Sequence, residues 1–134
     1  MASLLFLAIM GLSACATSTV NIPADLSPAE IIQRAQEASD RNRHAVALQY
    51  YEALLERNPD NIELVCTAEY EIAFIHYKQK RYTQAKDGFN ALLERYDQAG
   101  LEPLPDKFKI LSNIVLLRID EIENQRRPLS RAES

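Results

Sequence analysis

Cysteine offers the most distinctive chemistry in this 134-residue chain, and it occurs twice, at Cys15 and Cys66. Cys15 closely follows an uncharged apolar run at residues 4–12. That run is much shorter than the roughly 20 residues needed to span a bilayer, and its length is typical of the core of a signal peptide. We therefore predict a signal peptide over residues 1–14, followed directly by a thiol available for modification.

The residues around this thiol are Leu12-Ser13-Ala14-Cys15. They resemble the lipobox of bacterial lipoproteins, in which two small residues precede the cysteine that becomes the new N-terminus. The resemblance implies that Cys15 carries lipid, with palmitate among its acyl chains, and that residues 15–26 form a tether. It also implies an anchor in a bacterial membrane, at the periplasmic face of the outer membrane. Residues 1–3 depart from the pattern because they lack Lys and Arg. The alternative is an uncleaved apolar N-terminus with an unrelated cysteine.

Other reactive side chains are sparse. His44 and His76 lie far apart, and no Cys, His and carboxylate spacing is typical of a zinc site or a catalytic triad. We therefore predict no enzymatic activity, no metal and no cofactor. The net charge of −4 leaves no broad basic surface for nucleic acid. Cys66, left without a partner if Cys15 is lipidated, is expected to behave as a small buried apolar residue.

The elements that carry these residues are predicted to be helices. Ser27, Pro28 and Glu30 form a capping box at one helix start, and Asp60 is the candidate cap of another. Breaks between apolar periodic segments then give five helices, at residues 28–39, 43–57, 61–79, 82–96 and 105–125. The folded domain is predicted over residues 27–127, with a flexible tail at 128–134.

The folded part contains an internal repeat. Ala-Leu-Leu-Glu-Arg occurs at 53–57 and again at 91–95, an offset of 38 residues. In the same register, Ala47 and Tyr51 correspond to Ala85 and Phe89. Repeats of this length are typical of stacked helical hairpins.

The small residue followed four positions later by an aromatic resembles the second helix of the tetratricopeptide repeat. Pro59 matches the proline that closes such a helix, whereas Glu69 stands at the usual tryptophan position and Asp97 replaces the second proline. The resemblance implies an all-α fold, with two hairpins stacked as a short solenoid and a C-terminal capping helix. The alternative is a generic helical bundle in which the repeated segment is accidental.

A partner-binding groove is also implied by this resemblance, since the first helix of each hairpin faces the concave side of such arrays. Tyr70, Phe74 and Tyr77 share one face of the third predicted helix. Together with Lys78 they are predicted to line the groove. The alternative is that the aromatic rings pack beneath the C-terminal helix.

The last predicted helix has two apolar stripes. One consists of Phe108, Leu111, Val115, Ile119 and Ile122, and we expect it to pack on the second hairpin. The other, consisting of Ile110, Ile114 and Leu117, has no evident cover. It predicts either a wedged helix or a second interface.

These features together favour a membrane-anchored protein-binding adaptor or assembly factor in the bacterial cell envelope, with an envelope protein as partner. Two other functions stay open: a carrier of a small apolar ligand held between the third and fifth helices, and a homo-oligomeric structural lipoprotein.

Overall fold

The computed structural model describes residues 19–100 and 103–127, and this part of the chain is helical, without strands. The predicted signal peptide, Cys15 and the predicted tail at 128–134 lie outside the described residues. The five helices are α1 (Pro28–Asp40), α2 (His44–Arg57), α3 (Ile62–Lys78), α4 (Tyr82–Gln98) and α5 (Asp106–Arg126). The predicted all-α fold class is confirmed, and each predicted helix end lies within two residues of the observed one.

Side-chain caps fix the starts of α1 and α3. Ser27 Oγ accepts from the backbone N–H of Glu30 at 3.3 Å, while the Glu30 carboxylate accepts from the N–H of Ser27 at 2.9 Å. The cap of α3 is Asn61, whose Oδ1 accepts from the N–H of Leu64 at 3.2 Å. Asp60 is therefore not the cap, because the N–H of Asn61 closes a turn onto the carbonyl of Asn58 and delays the helix by one residue.

The helices form two hairpins with the same turn. Asn42 and Lys80, 38 residues apart, both adopt a left-handed backbone, with φ of 57° and 60°. The next residue in each turn donates its N–H back across the helix end, from Arg43 to Ala38 at 2.8 Å and from Arg81 to His76 at 2.9 Å. The sequence repeat is thus a repeat of structure.

Helix α1 packs on α2 and α3 packs on α4, while α2 joins the two hairpins by packing on α3 and α5 closes the second hairpin. The repeated residues are equivalent in burial: Ala47 and Ala85 are inaccessible, as are Leu54 and Leu92. Small residues permit close helix crossings, most tightly at Gly88, where an added Cβ would lie 2.9 Å from the Cβ of Ala73. Cys66 is a free buried cysteine, as predicted.

Residues 19–26, the described part of the tether predicted over residues 15–26, contact the first hairpin. Val20, Ile22 and Leu26 pack against the core of the first hairpin. The guanidinium of Arg57 donates to the carbonyls of Ile22 and Pro23, both at 2.9 Å. These contacts hold residues 20–26 against the α1–α2 hairpin.

Within the described residues, no helix is both long enough and apolar enough to cross a membrane.

Candidate functional site

Tyr70 belongs to the interior of the second hairpin. Its side chain is buried, and its ring centroid lies 5.6 Å from that of Phe89 and 5.5 Å from that of Phe108. For this residue the structure follows the alternative stated above, in which the aromatic rings pack beneath the C-terminal helix. Tyr70 therefore contributes to the core instead of to a groove.

Phe74 and Tyr77 lie at the surface of α3 and are only half-buried. Their rings stack at 5.7 Å, and Phe74 stacks in turn on Tyr70 at 5.8 Å. Lys78 is exposed, with its Nζ 5.7 Å from the centroid of the Phe74 ring. Three of the four predicted groove residues thus share one accessible aromatic and basic surface, which the buried ring of Tyr70 supports from below.

Phe74 and Lys78 also line a cavity of about 280 Å³ between α1 and α3, which we call the groove. Its remaining residues are Gln36, Ser39, Asp40, Tyr51 and Glu71. The position of Glu71, three residues before Phe74 and seven before Lys78, could have indicated that these three share a face. The contributions of α1 and Tyr51 depend on how the two hairpins stack, and no local sequence pattern contains that information.

Two ionisable side chains in the groove, Glu71 and Tyr51, have raised pKa values. Burial raises the pKa of the Glu71 carboxyl; Lys78 acts in the opposite direction, and Asp40 adds to the rise. The pKa of the Tyr51 hydroxyl is raised by burial first and then by the charges of Glu71 and Asp40. Tyr51 and both of these carboxylates line the same cavity.

Tyr77 lies on the side of α3 that faces α5. It is close to Arg118, whose pKa is raised mainly by a hydrogen bond to Glu121 and further by Tyr77. The open surface beside the aromatic pair therefore has the carboxylates of the groove on one side and the Arg118–Glu121 ion pair on the other. Such a surface is suited to a polar or amphipathic segment of another protein.

The two histidines both have lowered pKa values. Burial lowers the pKa of both, and the neighbouring charges of Lys78 and Arg81 lower those of His44 and His76 respectively. Burial also raises the pKa of the Cys66 thiol, which opposes formation of a thiolate. In the part of the chain that the structure describes, no three His, Cys, Asp or Glu residues are grouped to hold a metal ion.

The second stripe of α5 is open to solvent. The side chains of Ile110, Ile114 and Leu117 are 60%, 56% and 66% exposed, whereas Phe108, Val115 and Ile119 of the other stripe are buried. Leu111 was predicted to face inward but is 39% exposed, because it lies at the edge between the two stripes. Helix α5 is therefore not wedged between other described helices.

Residues 67–99, which cover most of α3 and all of α4, match the tetratricopeptide repeat family. The chain contains a tetratricopeptide repeat. The matched repeat is the second hairpin, and the shared turn and buried seam show that the first hairpin has the same construction. A tetratricopeptide repeat indicates a role in protein–protein interaction.

One relative is an uncharacterized protein of Treponema pallidum (strain Nichols), which is 35% identical over 115 residues. The alignment covers 84% of this chain but 46% of the relative, so the chain spans about half the length of that protein. No solved structure matches the chain.

Proposed function

We propose that this protein is a membrane-anchored adaptor of the bacterial cell envelope, and that its groove holds a segment of an envelope protein. The observation that carries the proposal is the half-buried pair Phe74 and Tyr77, open to solvent beside the groove on the first helix of a tetratricopeptide repeat. Aromatic side chains that are already ordered supply binding energy at low entropic cost. Lys78 at the rim is placed to contact a carboxylate of the partner.

The test of this binding surface compares the full chain with two groove variants. Phe74→Ala and Tyr77→Ala are expected to reduce recovery of a stoichiometric partner at least tenfold, with unchanged helicity by circular dichroism. Tyr96→Ala is the matched control, because Tyr96 is a half-buried aromatic residue on α4 whose hydroxyl donates to the carbonyl of Pro105, away from the groove. Equal losses in all three variants would show that the rings act only through folding.

The membrane anchor is proposed from Cys15 and the lipobox-like residues before it. Val20 packs on the first hairpin and lies five residues after Cys15, so even a fully extended chain keeps Cys15 within about 17 Å of that contact. The groove would then work close to the membrane surface. Cys15→Ser is expected to abolish lipid labelling and release the chain from membranes; retention of the variant in the membrane fraction would refute the anchor.

Self-association is a second candidate function, and the exposed stripe of α5 favours it. Two copies paired antiparallel, with Ile114 on the two-fold axis, would bring Leu111 opposite Leu117 of the second copy, since each lies three residues from 114. By the same geometry Lys107 would face Glu121 of the second copy, seven residues away on the other side. The charges at the ends of the stripe are thus complementary in this arrangement.

Disulfide formation in intact cells tests that arrangement. Ile114→Cys is expected to give a covalent dimer, because the residue would face its own copy, while the exposed Asn113→Cys on a neighbouring face should not. Adding Lys107→Glu should weaken the dimer, and adding Glu121→Lys as well should restore it. Equal crosslinking at 113 and 114, or no rescue, would mean that something other than a second copy covers the stripe.

The carrier of a small apolar ligand finds less support. The Tyr70 and Phe108 rings, 5.5 Å apart, already fill the contact between α3 and α5 where such a ligand was expected.

A further inference from the structure

The groove contains a polar group for which the described residues supply no partner. Tyr51 is 1% exposed and lines the groove, yet its hydroxyl makes no hydrogen bond within residues 19–100 and 103–127. A buried hydroxyl without a partner is unfavourable by about 1–3 kcal/mol, and such groups in proteins are nearly always satisfied. The hydroxyl therefore points to a ligand group or water in the adjoining cavity.

The charges around this hydroxyl select the kind of ligand. Glu71 and Asp40 line the same cavity as Tyr51, so three oxygen-bearing side chains border the groove, and the charges of both carboxylates act on the hydroxyl. Lys78, which lines the same cavity, forms no ion pair with either carboxylate among the described residues; its Nζ instead lies near the Phe74 ring. An anion would be repelled by two carboxylates, whereas a cation with several N–H donors would satisfy all three groups.

We propose that this end of the groove, at Asp40, Tyr51 and Glu71, binds the cationic end of a lysine or arginine side chain presented by the partner protein. The inference rests on the proposed adaptor function and adds the chemistry that the partner must supply. The cavity of about 280 Å³ has room for one long side chain, whose apolar stem would lie along the Phe74 ring. Such an anchor residue would fix the register of the bound segment.

A simple metal cation is a poorer match for this site. The described part of the chain places no three His, Cys, Asp or Glu residues around one point, and two carboxylates with a phenol form an incomplete oxygen shell. A guanidinium or ammonium group needs hydrogen-bond acceptors at only part of its surface and tolerates an aromatic face on another side.

The test uses the full chain in neutral detergent, with 3-fluorotyrosine placed at position 51 as a ¹⁹F probe. N-acetyl-arginine amide and N-acetyl-lysine amide are titrated, and the uncharged N-acetyl-citrulline amide is the matched ligand control. We expect a saturable shift of the ¹⁹F resonance with one or both cationic probes at millimolar concentration, and none with citrulline. A response to citrulline equal to that of arginine, or no response to either cation, would overturn the inference.

Variants of the carboxylates complete the test. Glu71→Gln and Asp40→Asn are each expected to weaken binding of the cationic probe about tenfold. The control is Glu56→Gln on α2, which removes an exposed carboxylate outside the groove and should leave the affinity unchanged. Unchanged affinity in Glu71→Gln would place the probe elsewhere and overturn the inference.

The two proposals fail separately. If Phe74→Ala abolishes capture of the partner while no cationic probe binds, the adaptor function stands and the basic anchor residue is refuted. If the probes bind as expected but capture is insensitive to Phe74→Ala, the cation site stands and the adaptor role of the groove is refuted.

Discussion

Glu69 occupies the position where the tetratricopeptide repeat usually has tryptophan, and in the structure it forms an ion pair with Arg95 of α4. Its carboxylate accepts two hydrogen bonds from Arg95 of α4, one of them from Nε at 3.0 Å. The hydrogen bonding of Arg95 to the Glu69 carboxylate is also the main cause of the raised pKa of the Arg95 guanidinium. A partly buried ion pair thus links the two helices of the second hairpin.

The contribution of this pair can be measured with a double-mutant cycle. Both side chains are partly exposed, so we expect Glu69→Ala and Arg95→Ala each to lower the free energy of unfolding by about 1 kcal/mol. The double variant should lose clearly less than the sum, because the two residues share one interaction. Chemical denaturation of the four chains gives the coupling, and strict additivity would show that the ion pair contributes nothing.

Burial disfavours the charged form of the Glu71 carboxyl in the folded state. Folding raises the pKa of Glu71 above the usual 4.5, so the folded chain binds this proton more readily than the unfolded chain. The folded state therefore loses stability as the pH rises from 4.5 to the raised pKa. Glu71→Gln should therefore be more stable than the parent chain at pH 7, and the difference should vanish below pH 4.5, where the carboxyl is protonated in both states. Denaturation at pH 7 and pH 4 measures this, with Glu56→Gln as control. A less stable Gln variant at pH 7 would show that the carboxylate is paired.

At the scale of elements, the repeated turn is the feature that defines the fold. Both hairpins have a left-handed residue two positions after the end of the first helix, Asn42 in one turn and Lys80 in the other. Asparagine tolerates this conformation better than lysine. The second hairpin therefore carries a small conformational strain that the first does not.

Exchanging these two residues tests the equivalence of the turns. Lys80→Asn is expected to raise the free energy of unfolding by about 0.5 kcal/mol, and the reciprocal Asn42→Lys to lower it by a similar amount. Thermal and chemical denaturation of both variants provide the comparison. The two changes in the free energy of unfolding must have opposite signs. A destabilised Lys80→Asn variant would show that the two turns are not interchangeable.

The helices were predictable because each carries local signals. The capping box at Ser27, the Asn58-Pro59 turn and the repeated apolar positions all depend on neighbours within a few residues, so the helix ends followed within two residues. The docking of residues 19–26 was not predictable, since it depends on Arg57, more than thirty residues away along the chain. Short apolar residues among small polar ones give no period from which such packing can be inferred.

At the scale of the whole molecule, only part of the candidate site could be predicted from the sequence. The aromatic face of α3 follows from helical spacing, but its division between core and surface does not. Tyr70 is buried because α5 brings Phe108 over it, while Phe74 stays open because α1 lies across a cavity from it. Likewise, the acidic end of the groove exists only because stacking of the hairpins brings Asp40 and Tyr51 to Glu71.

The molecule that results is a pair of stacked hairpins with two different open faces. The groove between α1 and α3 is polar with an aromatic edge, whereas the exposed stripe of α5 is aliphatic. Different chemistry on the two faces favours different occupants. An adaptor that holds its partner at the groove therefore keeps the stripe of α5 available for a second contact.

Site-specific photo-crosslinking in intact cells tests the binding role of the groove most directly. The full chain would carry a photoreactive phenylalanine analogue at position 78, on the rim of the groove, or at position 84, on the exposed side of α4. The adaptor function predicts a discrete adduct with one envelope protein from position 78, lost when Phe74→Ala is added, and none from position 84. An adduct from position 84 alone, or one from position 78 that persists with Phe74→Ala, would contradict it.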